Sequence, residues 1–249
     1  MSTEFLPLPV VVIGAGPVGL AAAAHLAERQ IPFLVLEAGD GPASAIARWG
    51  HVRLFSPWRY NTDAAAVRLL AASGWTAPDP EALPTGAQLI DAYLRPLAEL
   101  PQIAPHVRYG VRVEAVTRRG YDRVRTAGRE RSPFVIRLAN AEEVTARAVI
   151  DASGTWHTPN VLGGSGIAAT GETALNGSVV PGLPDVSGAD RPRFAGRHTV
   201  VVGSGASAAT TLLALVELAE RAPATTITWA IRGAATRAYG GGDADALPA

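Results

Sequence analysis

The chain of 249 residues contains no cysteine and no lysine, so all 22 of its basic residues are arginine. Without cysteine, a disulfide framework, a cysteine-ligated zinc site and a C-x-x-C redox pair within this chain are excluded. Without lysine, the phosphate loop of the P-loop NTPases is excluded, because that loop needs a lysine beside the phosphates. Schiff-base catalysis needs the same side chain and is excluded with it.

Charge and hydrophobic patterning narrow the class further. The 22 acidic residues balance the 22 arginines, which gives no electrostatic reason to expect nucleic acid or an anionic membrane as a partner. The uncharged stretch from Phe5 to Ala24 is interrupted by three prolines, so it reads as a buried strand and helix start rather than a signal peptide or membrane helix. None of the five histidines has metal-ligand spacing, and no metal is predicted. We expect a cytoplasmic protein; the sequence leaves open whether it forms a homo-oligomer.

Two glycine-rich loops follow apolar β-branched runs, and their first glycines, Gly14 and Gly203, are about 190 residues apart. The run 10–13 leads into G-A-G-P-V-G, and the run 199–202 leads into G-S-G-A-S-A. A strand, a glycine loop, a helix and a second strand form the unit that binds dinucleotide phosphates. Two such loops predict two bound dinucleotides, and a protein that holds two most often passes a hydride or electrons between them.

In the first loop each glycine has an expected task. Gly14 allows the tight turn, Gly16 lets the backbone approach the pyrophosphate, and Gly19 lets the helix pack closely on the strand. The helix N-terminus offers N–H groups and the positive end of its dipole to the phosphates. Glu37 ends the next predicted strand, 31–36, and is expected to accept hydrogen bonds from the adenosine ribose. The alternative is a glycine turn that binds nothing, with Glu37 solvated.

The second loop carries Ala208 in place of the third glycine, a variant that the fold tolerates. The next predicted strand, 226–231, ends in Arg232 instead of an acid. An acid would repel a 2′-phosphate whereas a guanidinium pairs with it, so this site is predicted to prefer NADP over NAD. The alternative is that Arg232 is an ordinary surface arginine.

Periodicity and turn residues predict the remaining elements. Thr85 and Gln88 form a capping box for a helix that runs toward Leu100, and Pro96 is expected to kink it. Three further strands form a small antiparallel meander that leads back into the parallel sheet. The other predicted helices are 18–29, 64–72 and 208–221, and the meander strands are 111–116, 134–138 and 144–152.

Three motifs together resemble the flavoproteins with two dinucleotide-binding domains, in particular the flavin-containing monooxygenase-like branch of the pyridine-nucleotide oxidoreductases. The first loop with Glu37 resembles the FAD fingerprint of that family, residues 149–155 (V-I-D-A-S-G-T) resemble its second FAD-contacting motif, and the second loop resembles its NADPH fingerprint. The resemblance implies FAD and NADP as cofactors. The implied cofactor-binding residues are Gly14, Ala15, Gly16, Pro17, Gly19, Glu37, Ala38, Trp49, Ala152, Ser153, Gly154, Gly203, Ser204, Gly205, Ser207, Ala208 and Arg232.

The resemblance also implies an architecture. The fold class is α/β with two Rossmann-like dinucleotide-binding lobes, an FAD lobe with a small antiparallel meander and a partial NAD(P) lobe. The expected divisions are an FAD-binding domain over 1–160, a connection over 161–196 and the first half of an NAD(P)-binding domain over 197–249. Because the family's nicotinamide domain continues past its second strand, this chain is expected to be truncated at its C-terminus.

The expected activity is that of an FAD-dependent oxidoreductase that NADPH reduces and that acts on a small molecule in the manner of a monooxygenase. The irregular segment 49–61 follows the FAD-binding unit and is expected at the flavin ring, with Arg53, Ser56 and Asn61 as candidate catalytic residues. The alternative for this segment is that its aromatic residues belong to the core and its polar residues cap turns. The alternative for the whole chain is a catalytically silent nucleotide-binding remnant, because the His-containing element of the family is missing before the second loop.

Overall fold

The computed structural model describes residues 8–175 and 177–232. Contacts within the chain group it into two compact units, Met1–Gly154 and Thr155–Ala249. The predicted divisions at residues 160 and 196 stay predictions. Each unit contains one of the two glycine loops, and each is described by itself below.

The elements follow the sequence pattern closely. The strands are β1 (Val10–Ile13), β2 (Phe33–Leu36), β3 (Val107–Arg108), β4 (Val113–Arg118), β5 (Phe134–Leu138), β6 (Glu143–Ala146), β7 (Ala148–Asp151), β8 (His198–Val202) and β9 (Thr226–Ala230). The α-helices are α1 (Pro17–Glu28), α2 (Ser44–Ala47), α3 (Trp58–Asn61), α4 (Ala64–Ala72), α5 (Gly86–Leu89), α6 (Arg95–Ala98), α7 (Arg191–Phe194) and α8 (Ala206–Arg221).

The first unit is built on a four-stranded parallel sheet in the order β3-β2-β1-β7. Strand β1 lies in its centre and is buried on both faces, as the unbroken β-branched run predicts. Val10 and Val12 face the helices α1 and α4, while Val11 faces the antiparallel meander β4-β5-β6 through Ile136 and Leu138. This packing holds the carboxyl end of β1, and with it the glycine loop, between two layers.

The predicted strand 144–152 is in fact two strands, β6 and β7, separated at Arg147. The first pairs antiparallel with β5 and the second pairs parallel with β1, so the chain changes sheets at this point. The Arg147 N–H donates to the Pro9 carbonyl at 3.0 Å, which starts the second pairing. Periodicity could not show the change because both strands are apolar and β-branched.

The helix predicted from the Thr85 capping box is interrupted by a π-helical turn, Ile90–Leu94, immediately before Pro96. Proline has no N–H to donate to the carbonyl four residues earlier. That carbonyl, of Ala92, accepts a hydrogen bond of 2.8 Å from the Trp75 indole instead. The expected disturbance at Pro96 is therefore present as a π-helical turn with a satisfied carbonyl.

The described part of the second unit contains one strand-helix-strand unit, with β8 and β9 paired parallel in a two-stranded sheet. Its buried core cluster consists of Val186, Phe194, Val201, Leu215 and Leu218. Both units thus have the βαβ arrangement, and the predicted α/β fold class with two Rossmann-like lobes is confirmed.

Candidate dinucleotide sites

In the first loop, Gly14 takes a left-handed φ of +97° directly after β1, and its N–H donates to the Leu36 carbonyl at 2.7 Å. A Cβ on Gly14 would lie 2.6 Å from the carbonyl oxygen of Ala152. Glycine is therefore required here twice, by its backbone angle and by the close passage of the segment that follows β7. The fold thus brings the first loop and the 149–155 motif together at one edge of the sheet.

The other two glycines of the first loop differ in what surrounds them. A Cβ on Gly19 would lie far inside van der Waals contact with the Gly14 carbonyl oxygen, so only glycine fits at that place on α1. A Cβ on Gly16 would meet nothing within 4 Å, and its φ of −79° is open to any residue. The protein itself therefore does not require glycine at position 16, which leaves open space beside the backbone at the start of α1.

The Glu37 carboxylate is buried at 8% exposure and holds the first loop from one side. Its Oε2 accepts from the Ala15 N–H at 2.7 Å, and its Oε1 accepts from the Gly39 N–H at 2.8 Å and the Ser44 hydroxyl at 2.6 Å. The Ala15 carbonyl in turn accepts from the Ala43 N–H at 2.9 Å. Glu37 is thus a structural anchor of the loop and is not merely solvated. It retains acceptor capacity on Oε2, because a carboxylate has about four lone-pair sites.

Gly39 and Ser44 are site residues that sequence reasoning missed. A side chain on Gly39 would collide with Ser44, so the missing Cβ is what lets the Ser44 hydroxyl reach Glu37. The signal in the sequence is the run of small residues from 38 to 44 after the acid. Such runs are common in loops, and only the folded chain shows which of their members touch the carboxylate.

The predicted residues Ala152, Ser153 and Gly154 follow the end of β7. The Asp151 carboxylate accepts from both the hydroxyl and the N–H of Ser153, at 2.6 and 3.1 Å, and these bonds lower the pKa of Asp151. Gly154 has a left-handed φ of +67° with open space at its Cβ. The motif is therefore a tight turn, held by its own aspartate, that passes beside Gly14.

The segment 49–61 places two of its three candidate catalytic residues together. Ser56 donates from its hydroxyl to the Asn61 side-chain oxygen at 3.0 Å, and the Asn61 amide donates to the Ser56 and Pro57 carbonyls at 2.7 and 2.9 Å. Arg53 is separate from this pair and donates to the Leu83 carbonyl at 2.7 Å. The Trp49 ring lies against Gly86, where a Cβ would come within 3.0 Å of it. The pair of Ser56 and Asn61 therefore fixes the start of α3.

The second loop repeats the backbone of the first. Gly203 has a φ of +115°, and its N–H donates to the Ala230 carbonyl at 2.9 Å, as Gly14 does to Leu36. Gly205 begins α8 with the extended angles that Gly16 has at the start of α1, and its Cβ would also meet nothing within 4 Å. The exposed side chains of Ser204 and Ser207 complete the predicted residues of this loop.

This equivalence corrects the expected position of Arg232 by one residue. Because Ala230 corresponds to Leu36, the place of Glu37 is taken by Ile231, and Arg232 corresponds to the exposed residue Ala38. β9 ends at Ala230 rather than at residue 231, which sequence periodicity did not resolve. The second site therefore has no acid at the critical position, and an exposed arginine follows one residue later.

Both long helices after the loops begin without a side-chain cap, since their N-caps are Gly16 and Gly205. In contrast, Asp63 caps α4 through the Ala65 and Ala66 N–H groups, and Thr85 caps α5. The first-turn N–H groups of a helix without a side-chain cap need another acceptor. Open space beside a glycine backbone and unclaimed helix N–H groups fit the pyrophosphate of a dinucleotide at both loops.

Within the two described stretches, no helix combines the length and apolar character needed to cross a membrane. Over the same residues, no group of three or more His, Asp or Glu side chains is placed to hold a metal ion.

Two strand-loop-helix-strand units in one chain, each with a glycine loop suited to a dinucleotide, define a two-dinucleotide oxidoreductase architecture. Comparison with known families agrees. The profile of the family described as pyridine nucleotide-disulphide oxidoreductase matches residues 11–238, and the chain belongs to this family. The family resemblance predicted from the three motifs is thereby confirmed.

Among curated proteins, the chain is similar to indole-3-pyruvate monooxygenase YUCCA1 from rice (Oryza sativa subsp. japonica), with 33% identity over 204 residues, 79% of this chain and 42% of that protein. Among solved structures, a flavin-containing monooxygenase from Stenotrophomonas maltophilia matches with a TM-score of 0.59 and 22% identity, over 92% of this chain and 58% of that one. OTEMO in complex with FAD and NADP matches with a TM-score of 0.56 and 22% identity, over 90% and 38%. The chain therefore spans about half the length of these relatives.

Proposed function

We propose that this chain binds FAD at the first loop and NADPH at the second and belongs to an FAD-dependent oxidoreductase of the monooxygenase type. The observation that carries the proposal is the repeated loop: Gly14 and Gly203 share one backbone conformation, and Gly16 and Gly205 both leave open space at an uncapped helix. Family membership and the naming of FAD and NADP for one structural neighbour support the same cofactor pair.

The residues toward FAD follow from the geometry of the first unit. The N–H groups of the first turn of α1 would meet the pyrophosphate beside Gly16, and the remaining acceptor capacity of Glu37 would meet the ribose hydroxyls. The turn at Ala152–Gly154 and the segment with Trp49, Arg53, Ser56 and Asn61 are proposed to lie along the rest of the cofactor. Bound FAD would supply two-electron redox chemistry, with NADPH as the reductant.

The protein's own polar groups have a modest task in this proposal. Because Ser56 and Asn61 bind each other and the Pro57 carbonyl, they would hold the shape of their segment and leave the Ser56 oxygen as an acceptor. Arg53, with one guanidinium nitrogen on Leu83, would keep its other donors available to an electron-rich group. Oxygen is the proposed acceptor and a small organic molecule the proposed substrate; the cytoplasmic location and the oligomeric state stay predictions.

An absorbance spectrum of the purified full chain, before and after anaerobic NADPH, tests the proposal. We expect a yellow protein whose flavin band bleaches with NADPH and returns on admission of air. Protein refolded or incubated with added FAD serves as the control for loss of cofactor during purification. A chain that takes up no FAD, or one that holds FAD without bleaching, would instead be the catalytically silent remnant.

A further inference from the structure

The two loops hold the same peptide group in different ways. In the first loop this is the peptide between Gly14 and Ala15, whose N–H donates to Glu37 at 2.7 Å. In the second loop it is the peptide between Gly203 and Ser204, and the residue at the place of Glu37 is Ile231, whose side chain cannot accept a hydrogen bond. The second peptide therefore needs another anchor.

Trp229 on β9 provides a contact at the opposite end of that peptide. Its indole N–H donates to the Gly203 carbonyl at 2.6 Å. Trp229 pairs with Val201 in the sheet as Val35 pairs with Val12 in the first unit. Val35 has no donor to offer to the first loop, so this contact belongs to the second loop alone.

Ala208 explains why the carbonyl has to be held. In the first unit the Gly14 carbonyl lies against α1 so closely that a Cβ on Gly19 would collide with it. The residue at the equivalent place on α8 is Ala208, which carries that methyl group. The Gly203 carbonyl therefore cannot take the position of its counterpart in the first loop, and in the structure it is bonded to Trp229.

We infer that Trp229 is a positioning residue of the second dinucleotide site: it fixes the Gly203 carbonyl away from the Ala208 methyl group and so orients the loop that meets the phosphates. The inference rests on the proposed binding of NADPH at this loop. Since the peptide is planar and trans, a fixed carbonyl also fixes the opposite direction of the Ser204 N–H. Trp229 thus takes over in the second unit the anchoring that Glu37 performs in the first.

The test is a two-by-two set of variants of the full chain: wild type, Trp229→Phe, Ala208→Gly and the double variant. Trp229→Phe removes the donor and keeps an aromatic ring, and we expect NADPH to bind about fivefold more weakly, as for the loss of one hydrogen bond of about 1 kcal/mol. In the Ala208→Gly background the same change should cost less than about twofold, because the carbonyl can then take the position seen in the first loop. FAD content should stay constant throughout.

Three results separate the inference from its rivals. Equal NADPH affinity of wild type and Trp229→Phe would overturn the role of Trp229 while leaving NADPH binding in place. A loss of equal size in both backgrounds, with a lowered melting temperature, would make Trp229 only a packing residue and overturn it as well. If the wild type binds no NADPH, the proposed function fails at this loop, and the hydrogen bond is judged by NMR instead. The indole N–H signal, assigned by its loss in Trp229→Phe, should exchange with solvent more slowly than that of free tryptophan, and equally fast exchange would overturn the inference.

Discussion

The two glycine loops have one backbone conformation but different surroundings. The first is enclosed: a Cβ on Gly14 would collide with Ala152, and the buried Glu37 holds Ala15. The second is open: a Cβ on Gly203 would meet nothing within 4 Å, and its carbonyl is bonded to the partly exposed Trp229. A glycine pattern therefore specifies the path of a loop, while the surrounding unit determines how firmly that path is held.

The largest effect is expected from the one position at which the two loops are alike. Gly16→Val should reduce FAD affinity by at least about a hundredfold, because the side chain blocks contacts of charge-assisted hydrogen-bonding strength. The fold should persist, since the added Cβ meets nothing within 4 Å and the backbone angle suits valine. Flavin content and far-UV circular dichroism measure the two effects.

Gly205→Val is the matched control because its surroundings are equally open. It should remove NADPH-dependent bleaching and leave FAD bound. Flavin retained in Gly16→Val, or lost equally in both variants, would contradict the assignment of one dinucleotide to each loop.

Glu37 and Arg232 should differ in their effects on stability, because one is buried and the other exposed. Glu37→Ala leaves the Ala15 N–H without its acceptor, and we expect it to lower the free energy of unfolding by about 3 kcal/mol. Arg232→Ala should change it by less than about 0.5 kcal/mol. Urea unfolding without added cofactor measures both, and a near-neutral Glu37→Ala would show that Glu37 does not anchor the loop.

Cofactor choice at the second loop should depend on Ile231 and Arg232. A charge-assisted contact between Arg232 and a 2′-phosphate would contribute about 1.5 to 3 kcal/mol, or roughly tenfold to a hundredfold preference for NADPH over NADH. Arg232→Ala should move the ratio of the two dissociation constants toward one. Ile231→Glu, which restores the acid of the first loop, should move it toward NADH. A ratio unchanged in both variants would leave Arg232 as a surface residue.

The smallest effect concerns a helix that, unlike those after the loops, has its own cap. Asp63→Ala should cost about 1 kcal/mol, and Asp63→Asn less, because asparagine also caps. Burial raises the pKa of Asp63, but the N–H groups of Ala66 and Ala65 and the His25 side chain outweigh it and lower the pKa overall. The contribution of the charged cap is therefore complete above the ordinary pKa of 3.8 and is lost as the pH falls through the lowered value.

Unfolding curves of wild type and Asp63→Ala between about pH 7 and pH 2 measure this effect. The two should converge at the acid end. A difference that stays constant over the whole range would mean that the charge of Asp63 does not contribute to the cap.

The sequence by itself determined what depends on neighbours along the chain. The β-branched runs at 10–13 and 199–202, the glycine spacing after each and the capping box at Thr85 and Gln88 are local patterns, and they predicted strands, loops and a helix start at these places. The missing cysteines and lysines excluded whole classes of chemistry without any knowledge of the fold. The family resemblance rested on the same local motifs.

Only the tertiary structure decided what depends on contacts between distant residues. Ala152 beside Gly14, Ser44 beside Glu37 and Trp229 beside Gly203 are separated in sequence from their partners, and no periodicity relates them. Strand register likewise decided that Ile231, and not Arg232, takes the place of the acid. The physical reason is that hydrogen bonds and steric exclusion act over a few ångströms in space, and the fold alone brings these residues within that distance.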